Sequence, residues 1–242
     1  MNTLTAIDDI PVYLSTPEQE GKYPGLIVIH EIWGLTDHIK DAANRFAAEG
    51  YAVVAPNLFA DVVMEEISGG VLFAKMADPA TRDEAQKTMR ELTAPVRSPE
   101  FALAARSKLQ KCFAWLASNP QVNGKVAVIG YCFGGTYAFA LAADEPKLAA
   151  CLPYYGQPPQ AAEIPKIQAP ILAFYGDKDE RLMETLPELK EGMAAAGKNF
   201  EAVVYPETGH AFFNDTNPMT YKAEAAQDAW QKSLAFLKQH IG

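Results

Sequence analysis

The chain predicts a mixed α/β fold with a mostly parallel central sheet and helices on both faces. Three observations carry that prediction. Residues 25–30 (GLIVIH), 52–55 (AVVA) and 125–130 (KVAVIG) are short, apolar and β-branched, as strands buried on both faces are. Helical segments separate them, and strands alternating with helices imply parallel neighbours covered on both sides. The reactive residue types cluster immediately after such strands, where a parallel sheet presents its carboxyl-end loops.

The elements follow in order. After the strand at 25–30, Thr36 and Asp37 can cap a helix that reads through Phe46 and stops at Gly50. The strand at 52–55 ends at Pro56. Residues 60–93 read as one or two exposed helices. Ser98, Pro99 and Glu100 supply a cap, a first-turn proline and an early carboxylate. The helix they open runs to about Ser118, with Leu103, Leu109, Phe113 and Leu116 toward the core. The strand at 125–130 leads directly into an alanine-rich helix. Residues 148–155 and 170–175 (PILAFY) are further strands. A helix is expected from near Pro187 to Gly197, and 199–205 (NFEAVVY) is the last strand. Residues 218–240 form a long amphipathic helix with Trp230, Leu234 and Leu237 in its apolar stripe. No repeat, low-complexity tract or flexible linker interrupts the 242 residues, so 1–242 is expected to be one domain.

Composition narrows the function. Hydrophobic residues make up 49% of the chain and charged residues 21%, which excludes disorder, collagen and coiled coil. The net charge is −9 with no basic run, so nucleic acid is not an expected partner. No apolar stretch approaches the roughly 18 residues of a spanning helix, so no membrane partner is expected. Asp8, Asp9, Glu18 and Glu20 near the start leave no apolar signal region. Three cysteines without CxxC spacing argue against a disulfide framework or a metal site. The expected compartment is the reducing cytoplasm, and no cofactor is implied.

Three motifs carry chemistry. Gly130-Tyr131-Cys132-Phe133-Gly134-Gly135 lies at a strand-to-helix junction. There a central nucleophile is forced into a strained turn, and flanking glycines relieve the close approach of strand and helix. The following helix points its N-terminus at the thiol, which favours thiolate. The competing reading is a buried structural cysteine. A nucleophile needs a base, and the base an orienting acid. Of four histidines, His210 in Glu207-Thr208-Gly209-His210-Ala211-Phe212 follows the last strand. His38 and His240, in terminal turns of helices, are expected to face solvent. The strand ending at Tyr175 runs into Gly176-Asp177-Lys178-Asp179, so either aspartate is available to His210. The G-x-x-D pattern selects Asp179, with Asp177 left to cap the turn. The third motif is His30-Glu31-Ile32-Trp33-Gly34-Leu35. It lacks the second histidine of a zinc helix. Its loop can supply the Ile32 N–H to an oxyanion hole, with the Phe133 N–H as the other donor. Glu31 beside Trp33 is expected to be buried with a raised pKa; a surface salt bridge is the alternative.

Together these residues resemble the dienelactone hydrolase family (carboxymethylenebutenolidase-like), which has the α/β-hydrolase fold. The resemblance extends from about Tyr23 to Phe236 and rests on H-E-I-W-G-L at 30–35, A-P-N-L-F at 55–59, G-Y-C-F-G-G at 130–135, G-D-K-D at 176–179 and G-H-A-F at 209–212. It implies a cysteine hydrolase of lactone or ester bonds, with Cys132, His210 and Asp179 as its catalytic triad. It further implies that Glu31 helps activate the thiol when substrate binds, and that water activated at His210 releases the thioester. There is one departure. The family's dienelactone enzyme holds its substrate carboxylate with two arginines, one of them four residues after the catalytic histidine. Here that position is Asn214. An asparagine cannot form the charged bidentate pair. The other arginine falls among Arg82, Arg90 and Arg97 and cannot be assigned.

The expected partner is therefore a small-molecule lactone or ester, with Trp33 and Asn214 as candidate substrate contacts. A monomer is expected, with a small homo-oligomer as the alternative. The competing functions are a general carboxylesterase or thioesterase with the same triad, a non-catalytic binding protein, and a thiol-redox protein. Cys112 and Cys151, in a helix and a buried strand, are expected to be inert in the last of these.

Overall fold

The computed structural model describes residues 2–61, 72, 75, 78 and 80–242. Among these, eight strands form one sheet: β1 (Asn2–Ile7), β2 (Ile10–Ser15), β3 (Tyr23–Ile29), β4 (Ala52–Pro56), β5 (Val122–Tyr131), β6 (Ala150–Tyr154), β7 (Ile171–Gly176) and β8 (Phe200–Tyr205). Their order is β1-β2-β4-β3-β5-β6-β7-β8. Pairs from β4 to β8 are parallel, whereas β1–β2 and β2–β4 are antiparallel. The described helices are α1 (Asp37–Ala48), α2 (Arg82–Leu92), α3 (Pro99–Ser118), α4 (Phe133–Asp144), α5 (Glu180–Ala195) and α6 (Ala223–Ile241).

The central strands are the apolar runs of the sequence. Leu26 to Ile29 of β3 and Val126 to Ile129 of β5 are buried on both sheet faces, which a parallel strand under helices requires. β1 and β2 are an addition to the sequence reading. They form a hairpin turned at Asp8, whose φ is +53°. β1 is exposed along most of its length, and edge strands of that kind carry little hydrophobic signal.

Several element boundaries move. α5 begins at Glu180, not near Pro187, and the proline lies inside it. One missing N–H is tolerated because Leu182, Leu186, Leu189 and Met193 form a continuous buried stripe. α6 begins at Ala223 rather than Pro218. α3 has the predicted cap, with the Ser98 hydroxyl accepting from the Phe101 N–H at 3.1 Å. Leu103 on that helix is 71% exposed, because the buried stripe runs through Ala105, Leu109, Cys112, Phe113 and Leu116. Of the helices expected within 60–93, α2 is observed and mostly exposed, while residues 62–71 and most of 73–79 lie outside the described residues. His38 is also corrected. It is 3% exposed, because the first turn of α1 packs inward.

Candidate active site

The sharpest feature of the backbone lies between β5 and α4. Cys132 has φ +56° and ψ −112°, a conformation that costs an L-residue about 1–3 kcal/mol. The glycines around it are steric necessities. A Cβ on Gly130 would lie 2.0 Å from the Gly134 carbonyl oxygen. One on Gly134 would meet the Ile29 oxygen at 2.3 Å, and one on Gly135 the Tyr154 oxygen at 2.5 Å. Strand and helix therefore approach to backbone contact, and the Cys132 N–H donates to the Tyr154 carbonyl at 3.0 Å. The thiol is left partly exposed at the N-terminus of α4. Cys112 and Cys151 are buried by contrast. Burial pushes the Cys112 thiol up to about 12, and pushes Cys151 up further.

The loops after β7 and β8 bring a histidine and an aspartate to this elbow. Asp179 directly precedes α5, and its Oδ2 lies 2.5 Å from Nδ1 of His210. Asp177 faces elsewhere, its Oδ1 accepting from the Thr208 N–H at 3.2 Å. Partial burial opposes a charge on His210. The Cys132 sulfur, as a charge and as a hydrogen-bond partner, and Asp179 outweigh it and raise the imidazole to about 10.

Glu31 approaches from the loop after β3 and is 2% exposed. Its Oε2 accepts from Asn214 Nδ2 at 2.7 Å and its Oε1 from the Tyr155 hydroxyl at 3.4 Å. Burial raises its pKa, while His38, Asn214, His210 and Tyr155 act in the opposite sense. Glu31 is thus held by hydrogen bonds and not by a surface ion pair. Asn214 is itself buried, and its Oδ1 accepts from the Thr216 N–H at 3.1 Å and the Thr216 hydroxyl at 2.6 Å. The structure brings it to Glu31. Trp33, half-buried, follows in the same loop.

His30 fixes that loop. Its Nδ1 lies 2.7 Å from the Glu31 carbonyl, and its Nε2 is 3.1 Å from the Leu58 N–H. The first must donate and the second accept, which specifies a neutral ring with hydrogen on Nδ1. Burial holds its pKa down at about 4. The ring also stacks on Phe133 at 5.8 Å between centroids. One imidazole therefore touches both segments that carry the Ile32 and Phe133 N–H groups. Phe133 is the first residue of α4, so its N–H belongs to the turn that has no intrahelical acceptor.

Two residues near the site escaped the sequence reading. Tyr155 has φ +38°, and its ring lies 5.0 Å from that of His210. The only available signal was its place at a strand end beside Gly156. His38 lies in a helix's first turn, a position that is usually exposed, yet it is buried here. Among the described residues no group of three or more His, Cys, Asp or Glu is placed to hold a metal ion. No described helix is long and apolar enough to cross a membrane.

A strained residue between a parallel strand and a helix, with loops after the following strands converging on it, defines the α/β-hydrolase class. Comparison with known proteins gives the narrower assignment. The model of the dienelactone hydrolase family matches residues 10–241. The chain therefore belongs to the dienelactone hydrolase family. It is 34% identical over 247 residues to a Saccharolobus solfataricus protein named "Putative carboxymethylenebutenolidase", covering 95% of this chain and 94% of that one. A Yersinia pestis protein of the same name is 31% identical over 245 residues, covering 96% and 85%. Among solved structures, that of a "Putative Dienelactone Hydrolase" from Klebsiella pneumoniae superposes with TM-score 0.81 at 27% identity, covering 99% of both chains.

Proposed function

We propose that this protein is a cysteine-dependent hydrolase that opens a small lactone or carboxylic ester through a thioester on Cys132. The observation that carries this reading is the thiol at the strained elbow beside an imidazole whose far nitrogen is held by Asp179. The thiolate attacks the substrate carbonyl carbon, and the oxyanion takes hydrogen bonds from the Ile32 and Phe133 N–H groups. The carbon–oxygen bond then breaks, and the departing alkoxide receives a proton from His210. Water attacks the thioester as His210 takes its proton, the acid leaves, and Cys132 departs as thiolate. Asp179 keeps the imidazole in the required tautomer throughout. Glu31, buried beside the site, takes part in activating the sulfur when substrate enters. Trp33, in the loop that carries Ile32, contacts the substrate from that side.

A panel of nitrophenyl esters, acyl thioesters and unsaturated lactones tests the reading through relative kcat/KM. Acid-quenched enzyme should carry the acyl group on the peptide that contains Cys132. Cys132→Ala should lower turnover by about a thousandfold or more. Full activity in that variant, or an acyl group on another residue, would overturn the mechanism.

A further inference from the structure

His30 takes no part in the proposed reaction, yet it is fully buried just after β3, against both segments that bear the oxyanion donors. Its Nδ1–H donates to the Glu31 carbonyl at 2.7 Å, and the same oxygen accepts from the Gly34 N–H at 3.1 Å. Both lone pairs of that carbonyl are committed. A peptide unit is planar and trans, so its C=O and its N–H point in opposite directions from one rigid plate. The carbonyl of Glu31 and the N–H of Ile32 belong to one such plate. A ring that holds the carbonyl on one side thereby sets the direction of the Ile32 N–H on the other. Turned over, the plate would aim a carbonyl oxygen where a donor belongs.

The ring is itself held from three sides. Its Nε2 accepts from the Leu58 N–H at 3.1 Å, and Phe59 meets it edge-on at 4.6 Å between centroids. Phe133 lies nearly parallel to it at 5.8 Å, with 7° between the planes. The backbone of His30 also seats the elbow, since a Cβ on Gly134 would lie 2.7 Å from the His30 carbonyl oxygen. We infer that His30 is a positioning residue of the oxyanion hole. It locks the Glu31–Ile32 peptide against rotation and fixes the Ile32 N–H relative to the Phe133 N–H. Its kinetic consequences rest on the proposed thioester reaction; the clamp itself does not. The oxyanion forms twice, as thiolate attacks the ester and as water attacks the thioester. The hole acts on that species and little on bound substrate, so its loss lowers kcat and leaves KM nearly unchanged.

Two amide substitutions separate the two bonds of the ring. His30→Asn places an amide where Nδ1 stands and keeps a donor for the Glu31 carbonyl. His30→Gln reaches the Leu58 N–H and gives up that donor. For a nitrophenyl ester, kcat should fall about a hundredfold in His30→Gln and less than about tenfold in His30→Asn, with KM little changed in both. Alkylation of Cys132 by iodoacetamide forms no oxyanion and should keep its native rate in both variants. A general disturbance of the elbow or of His210 would slow it. Native kcat in folded His30→Gln, equal losses in the two variants, or slowed alkylation would overturn the proposal. The crystal structure of His30→Gln tests the clamp without reference to the reaction: the Ile32 nitrogen should leave its native place relative to that of Phe133. An unmoved Glu31–Ile32 peptide would overturn the clamp even if kcat fell. Full activity in Cys132→Ala would instead overturn the thioester reading, and the crystal structure would still decide whether His30 holds the peptide.

Discussion

Asn214 donates to Oε2 of Glu31 across 183 residues of sequence, at 2.7 Å. Its carbonyl is engaged by Thr216, so both ends of the amide are committed inside the protein. Where the family's dienelactone enzyme carries an arginine for a substrate carboxylate, this chain carries a buried support for its acid.

Replacing Asn214 therefore tests its role. Asn214→Leu leaves Oε2 without that donor, at a cost of about 1–3 kcal/mol in stability. It should lower kcat alike for charged and neutral esters. Denaturant unfolding and steady-state kinetics check both. A KM increase confined to carboxylate-bearing lactones would return Asn214 to the substrate.

The two aspartates after β7 should separate cleanly. Asp179→Asn replaces the carboxylate at His210 Nδ1 with an amide that can impose the wrong tautomer, and should lower kcat by roughly four orders of magnitude, as that change does in serine triads. Asp177→Asn weakens one bond to the Thr208 N–H. It should change stability by about 1 kcal/mol and kcat little. If Asp177→Asn proved the worse for kcat, the orienting acid would lie two residues earlier.

The His210 imidazole should titrate near 10 in the resting protein. The Cys132 charge is the strongest influence raising it, so Cys132→Ala should bring the midpoint well down. Proton NMR of the imidazole in both proteins measures this. The linkage has a defined sign: a histidine with a raised pKa adds stability that is complete below its unfolded value near 6.5 and is lost as pH rises through about 10. An unaltered midpoint in the alanine variant would remove the sulfur–imidazolium pair.

His30 has the opposite sign. Its folded pKa of about 4 lies below the unfolded value near 6.5. Its stabilising contribution is therefore complete above about 6.5 and is lost as pH falls from there through about 4. For this fully buried ring the shift corresponds to about 3 kcal/mol. Glu31, raised by burial, opposes this over the acid range, so the comparison must be made between variants. His30→Gln should flatten the acid limb of unfolding free energy, measured by urea denaturation from pH 7 to pH 4. An equally steep limb in that variant would show that His30 does not set it.

At the elbow, Gly134→Ala forces a Cβ to 2.3 Å from a strand carbonyl and should cost roughly 3 kcal/mol or more. Gly209→Ala, beside His210 but with nothing within 4 Å of the added carbon, should cost far less. Thermal unfolding of the two proteins compares them. Similar losses would remove the steric account of the elbow.

What was legible in the sequence had a local cause. The runs at 25–30, 52–55 and 125–130 became central strands because burial on both faces demands continuous apolar sequence. Ser98 became a cap because its hydroxyl serves an N–H three residues away. The glycines around Cys132 mark the close approach of strand and helix. Local signals conflict in α5. Pro187 suggested a helix start, but the leucine stripe around it had the larger burial energy.

The partners of Glu31 had no such local mark. Nothing near residue 31 in the chain announces Asn214 or Tyr155, which reach it from two other segments of the fold. Sequence alone determined the order of the reactive loops along the chain and the residue types they present, because spacing and side-chain volume act over a few residues. Only the tertiary structure decided which of those groups face one another, that Asn214 turns to an acid, and that His38 is inside. Hydrogen bonding and desolvation depend on distance in space, and distance in space is set when the sheet closes.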